Sequence, residues 1–151
     1  MEFQIELLRA EHLEAVAELE RLCFSEPWSE NALAFLLGDA ALGLVALDEN
    51  GRAIAYVGML IAPDEGQITN VAVHPSARRQ GIGRALIDQL ILDAAARGLE
   101  QISLEVRASN EAAIALYERA GFYRAGVRRN FYRKPTEDGL VMLRQLRESV
   151  D

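Results

Sequence analysis

The chain has 151 residues, 50% of them hydrophobic and 26% charged, which is enough for one domain, expected to span 1–151, with a sizeable core. A formal net charge of −7 argues against binding naked nucleic acid, and no apolar run approaches the roughly 20 residues that cross a bilayer. The single cysteine, Cys23, excludes an internal disulfide, and no basic-then-apolar leader opens the chain, so we expect a cytoplasmic protein with no membrane or direct nucleic-acid partner.

Phe3, Ile5 and Leu7 alternate with polar residues and predict a short opening strand. From about Glu11 the period becomes helical, with Leu13, Val16, Ala17, Leu19 or Glu20, and Cys23 on the apolar face. Pro27 and Trp28 interrupt it, and Ser29 is placed to cap a second helix from Glu30 to Leu37. Leu42 to Leu47 and Ala53 to Ile61 are apolar strands joined through Asn50-Gly51, a tight-turn pair. A further hairpin at Pro63-Asp64-Glu65-Gly66 leads into a third strand carrying Ile68, Val71 and Val73.

His74-Pro75 stops that strand, because proline has no N–H for a ladder. The basic turn Arg78-Arg79-Gln80-Gly81-Ile82-Gly83 then opens a helix over 81–97, which Gly98 ends. Ile102, Leu104 and Val106 mark the next strand. Ser109 or Asn110 caps a helix carrying Ala113, Ile114, Leu116, Tyr117 and Ala120, and Gly121 closes it. Phe122 to Val127 begins another strand. Asn130 to Gly139 reads as a long polar excursion before a last strand, Leu140 to Leu146. The order β-α-α-β-β-β-α-β-α-β-β mixes hairpins with helical crossovers. It predicts an α/β fold with one mixed sheet of about seven strands and helices on both faces.

A strand, a Gly/Arg turn and a helix start together present bare backbone N–H groups and a positive dipole end, which suit a phosphorylated ligand. The turn lacks the third glycine and downstream acid of a dinucleotide fingerprint, and it lacks the Gly-Lys-Ser/Thr of a P-loop. A solvated basic turn is the plain alternative.

Further motifs narrow the choice. Ile68 to Pro75 with Arg78 to Gly83, Asn110 to Glu118, and Gly121-Phe122 resemble the acetyl-CoA site of the GNAT acetyltransferase superfamily. Cys23 to Ser29, Leu104 to Asn110, and Arg128 to Tyr132 followed by Glu137-Asp138-Gly139 are similar to its RimI group. That resemblance implies acetyl-CoA as co-substrate, no metal, and transfer to the N-terminal alanine of a small-subunit ribosomal protein. Gly139 stands where the group usually has alanine, and Arg133-Lys134-Pro135 also departs from its pattern.

Under this resemblance, Gln80, Gly81, Ile82 and Gly83 with Arg79 and Arg84 hold the pyrophosphate. Val71, Ala72 and Val73 pair with the pantetheine, and a bulge frees a backbone N–H near Val71 or Val73 for the thioester carbonyl. Glu105, alone a solvated strand carboxylate, becomes the general base acting through water. Tyr117, otherwise a core aromatic, becomes the acid that protonates the leaving thiolate, and Asn110 hydrogen-bonds the cofactor besides capping its helix. Pro27, Trp28, Asn130, Phe131 and Tyr132 wall the acceptor groove. His74 reads as a turn residue, and Cys23, lacking an adjacent histidine, is not expected to be a nucleophile. The remaining alternatives are acetylation of a lysine or small-molecule amine, and an acetyl-CoA-sensing module without turnover. A monomer is favoured, with the oligomeric state left open.

Overall fold

The computed structural model describes residues 2–146; Met1 and 147–151 of the expected 1–151 domain lie outside the described residues. The elements are β1 (Phe3–Leu7), α1 (Leu13–Cys23), α2 (Glu30–Leu33), β2 (Ala41–Asp48), β3 (Ala53–Ala62), β4 (Glu65–Val73), α3 (Ile82–Ala96), β5 (Gln101–Arg107), α4 (Glu111–Arg119), β6 (Tyr123–Tyr132) and β7 (Glu137–Gln145). They build one seven-stranded sheet in the order β1-β2-β3-β4-β5-β7-β6. Every neighbouring pair is antiparallel except β4 with β5. The parallel pair requires the α3 crossover, and the other connections, apart from the long excursions that carry α1 with α2 and then α4, are hairpins. No helix among the described residues is long and apolar enough to cross a membrane.

Both faces of the sheet are covered. Leu42, Leu44 and Ala46 of β2 face a core that contains Leu86, Ile87 and Leu90 of α3 and Ile114 and Tyr117 of α4. Ala41 and Val45 of the same strand face a second core with Val16, Ala17 and Leu19 of α1. A strand buried on both sides reads as a continuous apolar run, which is how β2 and β3 stand in the sequence.

Two expectations change. The second helix is α-helical only to Leu33, and Ala34–Leu37 is a 3-10 turn. Tightening to three residues per turn lets Leu33 and Leu36 lie on one line, and both are buried. The polar excursion from Asn130 to Gly139 shrinks to a turn over 133–136, because β6 continues to Tyr132 and β7 begins at Glu137. Arg128 pairs with Gly139 and Tyr132 with Glu137, with an irregularity between them. As the outermost strand, β6 is exposed at every position but its last, so no apolar alternation announces it. Asn130, Phe131 and Tyr132 therefore lie at a strand end rather than in a loop.

The bulge expected in the strand that carries Val71 and Val73 is present, and it explains an odd spacing. Gly58 pairs with Asn70 and Met59 with Ile68, so Thr69 is an extra residue in β4. A bulge of this kind reverses the parity of the residues beyond it. Ile68, Val71 and Val73 consequently share the α3 face, while Ala72 joins the core beneath α1. A Cβ on Gly58 would stand 2.7 Å from Thr69 Oγ1 and 2.8 Å from Leu36 Cδ1, so only glycine fits opposite the bulge. Gly58→Ala is expected to destabilise the fold by about 1–3 kcal/mol through overpacking. A urea midpoint equal to that of the unaltered protein would show that the bulge yields.

Candidate active site

The β4–β5 pair joins only at its start, through Glu65 with Gln101, Gly66 with Ile102 and Gln67 with Ser103. β4 continues to Val73 and β5 to Arg107, so two strand edges run on without facing partners. Apart from the Val73 carbonyl, which Arg78 and Cys23 reach, their facing backbone groups have no ladder partner across the gap, and strand N–H and C=O groups need partners. At the far end of β4 stands the start of α3. Arg79 and Gly81 both have positive φ, 64° and 80°, and Gly81 caps α3 without a side-chain hydrogen bond to the first turn. Space in front of Gly81 is open, with nothing within 4 Å of a Cβ built there. Free N–H groups at the positive end of a 15-residue helix suit an anion.

The basic residues of this turn divide. Arg78 turns back, donating from Nε to the Val73 carbonyl at 3.2 Å and from a terminal nitrogen to Cys23 Sγ at 3.6 Å. Arg84 pairs with Asp88 at 2.9 Å one helical turn away. Gln80 reaches the Ser76 carbonyl at 3.5 Å, and Arg79 has no side-chain partner among the described residues. His74 Nδ1 accepts from the Ser76 backbone N–H at 3.1 Å, as a turn residue does.

Glu105 projects from β5 on the face opposite the buried Ile102, Leu104 and Val106. Its side chain is 15% exposed and is held between Gln67 Nε2 at 3.2 Å and Arg128 at 2.9 Å. Gln67 is the last β4 residue paired with β5, so the carboxylate stands at the fork where the strands part. A carboxylate with both oxygens held by donors keeps one orientation.

Tyr117 lies in the core beneath α4, edge-on to Phe122 at 5.6 Å. Burial pushes its phenol well above the usual tyrosine range, with a smaller contribution from Tyr132. The Tyr132 phenol is itself pushed up to about 12, first by burial and then by Glu105. Asn110 Oδ1 accepts the Ala113 N–H at 3.2 Å, capping α4, and its amide nitrogen makes no hydrogen bond among the described residues.

Each expected wall of the acceptor groove is tied down by a charged residue. On the β6–β7 side, Arg107 donates to the carbonyls of Pro135 at 2.9 Å and Arg133 at 2.8 Å. It also pairs with Glu137 at 3.3 Å and lies over the Tyr132 ring at 4.6 Å. Asp138 accepts the Asn130 N–H at 2.9 Å, and Phe131 meets Tyr132 edge-on at 5.0 Å. A Cβ at Gly139 would come within 3.1 Å of Phe131, so the absence of a side chain at 139 gives that ring its seat. On the other side, Pro27 is exposed, and half-buried Trp28 donates its backbone N–H to Glu20 at 2.8 Å.

Sequence reading missed Gln67, Arg128, Arg107 and Glu20. The first two carry no local signal, since they reach Glu105 from other strands. Arg107 shares the Glu105 face two residues on, which was legible. Glu20 was the clearest hint: a carboxylate among the apolar positions of α1. Burial pushes its carboxyl above the ordinary range, against the pull of Trp28, Tyr56 and Asn70.

Glu137 is held below the ordinary carboxylate range, chiefly by its hydrogen bond with Ser109 and further by Arg107. A lowered folded pKa means that its bonds stabilise the turn above the unfolded carboxylate pKa of about 4.3, and that this is lost as pH falls through the folded value. In an NMR titration, the Ser109 amide should shift with a midpoint below that of a free glutamate, and Arg107→Ala should move the midpoint up. A midpoint unmoved by Arg107→Ala would remove the arginine from this network.

The profile of the Acetyltransferase (GNAT) family matches residues 13–122. The [ribosomal protein bS18]-alanine N-acetyltransferase of Escherichia coli (strain K12) is 43% identical over 135 residues, 89% of each chain. The crystal structure of the ribosomal-protein-S18-alanine N-acetyltransferase from Escherichia coli superposes with a TM-score of 0.91 at 37% identity, covering 99% of this chain and 97% of that one. A GNAT superfamily phosphinothricin acetyltransferase from Sinorhizobium meliloti, solved in complex with AcCoA, gives 0.85 at 25% identity, over 99% of this chain and 91% of that one. The forked parallel pair and open helix start thus sit in a chain whose relatives are acetyltransferases along nearly its whole length, and it belongs to the GNAT family.

Proposed function

We propose that this chain transfers the acetyl group of acetyl-CoA to the N-terminal alanine of ribosomal protein bS18, in the cytoplasm, by direct attack within a ternary complex on one catalytic domain. The observation that carries this reading is the fork itself: β4 and β5 part at Gln67, with Glu105 at the crotch and the uncapped α3 N-terminus at the open end. The fork suits a long, polar-stemmed thioester with a diphosphate. Residues Gln80, Gly81, Ile82 and Gly83, with Arg79 and Arg84, bind the diphosphate, and the Val71–Ala72–Val73 edge pairs with the pantetheine. Asn110 contributes its free amide nitrogen.

An α-amine has a reference pKa of about 8, so a modest base suffices near neutral pH. Glu105 takes the proton of the attacking amine, through a water, as the C–N bond forms. A free N–H of the β4 edge faces the charge that grows on the acetyl oxygen. Tyr117 gives its phenolic proton to the sulfur as the C–S bond breaks. Its raised pKa keeps that proton in place throughout the neutral and mildly alkaline range. Pro27 and Trp28 on one side, and Asn130, Phe131 and Tyr132 on the other, hold the acceptor's first residues.

Glu105→Gln and Tyr117→Phe are each expected to lower kcat about 10²- to 10⁴-fold while acetyl-CoA affinity changes little. Near-normal turnover would remove that residue from the mechanism. Peptides beginning Ala, Ser, Met and Gly, with an N-blocked lysine peptide, decide the acceptor by mass spectrometry. We expect the bS18-type alanine peptide to be acetylated first. Preferential transfer to the blocked lysine peptide would overturn the N-terminal assignment, and cofactor binding without transfer to any of them would point to a sensing module.

A further inference from the structure

Glu20 is wholly buried, yet it lies where α1 otherwise presents apolar residues to the core. All its contacts donate to it. Oε1 accepts the Trp28 backbone N–H at 2.8 Å, Oε2 accepts the Tyr56 hydroxyl at 2.5 Å, and Asn70 Nδ2 reaches the two oxygens at 3.2 and 3.0 Å. The carboxylate therefore joins a wall of the acceptor groove to the β4 residue just beyond the bulge. Asn70 is available only because of that bulge: with unbroken alternation it would share the Ile68 face, away from α1.

A purely structural role would be served as well by an apolar side chain, since replacing a buried charge by packed hydrocarbon is often neutral. Hydrocarbon cannot fix the Trp28 main chain relative to Asn70. Apart from its bond to Glu20, the loop 24–29 is held by Phe24 N–H closing α1, by Ser29 capping α2, and by the half-buried Phe24 and Trp28 side chains packing against the second core, while Pro27 is exposed. Building on the function proposed above, we propose that Glu20 is a positioning residue: it locks the Trp28 loop onto the bulged half of β4 and thereby sets how tightly the acceptor N-terminus is held. It touches neither substrate, so its effect falls on acceptor binding and not on the chemical step.

Trp28 is the only tryptophan in the chain, so its fluorescence reports this loop directly. The test uses the full chain as Glu20→Ala, Glu20→Gln and Tyr56→Phe, with four readouts: iodide quenching of Trp28, KM for the N-terminal-alanine peptide, KM for acetyl-CoA, and Tm. Glu20→Ala should raise quenching and increase acceptor KM about tenfold or more, the scale of a lost charge-assisted hydrogen bond. Its kcat and its KM for acetyl-CoA should stay within about threefold of the unaltered values. Glu20→Gln keeps one acceptor oxygen and should fall between. Tyr56→Phe removes a donor that does not touch the loop, so it should lower Tm while leaving quenching and acceptor KM unchanged.

A folded Glu20→Ala with unaltered quenching or acceptor KM overturns the proposal. So does a proportional rise in both KM values, or a Tyr56→Phe that raises acceptor KM as much at equal loss of Tm. If Glu20→Ala does not fold, Glu20→Gln decides by the same readouts. If the unaltered protein acetylates no peptide, the function proposed above has failed. Quenching then decides separately whether Glu20 holds the loop, and unchanged quenching rejects it.

Discussion

One inserted residue governs the centre of this molecule. Thr69 has no partner on β3, and every residue after it in β4 changes face. Ile68, Val71 and Val73 then pack together towards α3, and Asn70 turns beneath α1 to reach Glu20. β4 pairs with β5 only before this point, so the bulge and the parting of the strands fall on the same segment. The cost is local and visible. Gly58 must stay without a side chain, and Thr69 Oγ1 is the buried side-chain polar atom left without a partner among the described residues. A bent strand with an open edge beside a carboxylate is a common place for such a cost to be tolerated.

The Trp28 loop and the β6–β7 turn are tethered by opposite charges in different surroundings. Arg107, a quarter exposed, gathers two turn carbonyls, Glu137 and the Tyr132 ring, so it acts through several donors at once. A planar guanidinium suits this multidentate task. Glu20 works in the buried interior, where an unpaired charge is expensive and a fully satisfied one is rigid. Both residues hold main chain, Arg107 the carbonyls of Arg133 and Pro135 and Glu20 the Trp28 N–H.

Much of the architecture is legible in the sequence because its signals are local. Alternation marks β1 and β5, unbroken apolar runs mark β2 and β3, and Asn110 and Gly121 bracket α4. The edge strand β6 runs further than its sequence announces, because its polar, exposed residues carry no pattern from burial, and only pairing with β7 makes them a strand. The spacing Ile68, Val71, Val73 already holds the bulge, since a gap of three between same-face residues does not fit a regular strand.

The sequence by itself determined the family, the order of the elements, the Gly-rich helix start, and Glu105 and Tyr117 as candidates, because motifs and periodicities are short-range properties. Only the tertiary structure decided which residues meet. Gln67 and Arg128 close on Glu105, Arg107 closes on Glu137 and the Arg133 and Pro135 carbonyls, and Glu20 joins Trp28 to Asn70. Those contacts span strands and helices far apart in the chain. They exist because a particular register and one extra residue bring the groups within hydrogen-bonding distance; the spacing in β4 hints at the extra residue, but no single stretch of sequence shows which distant groups it brings together.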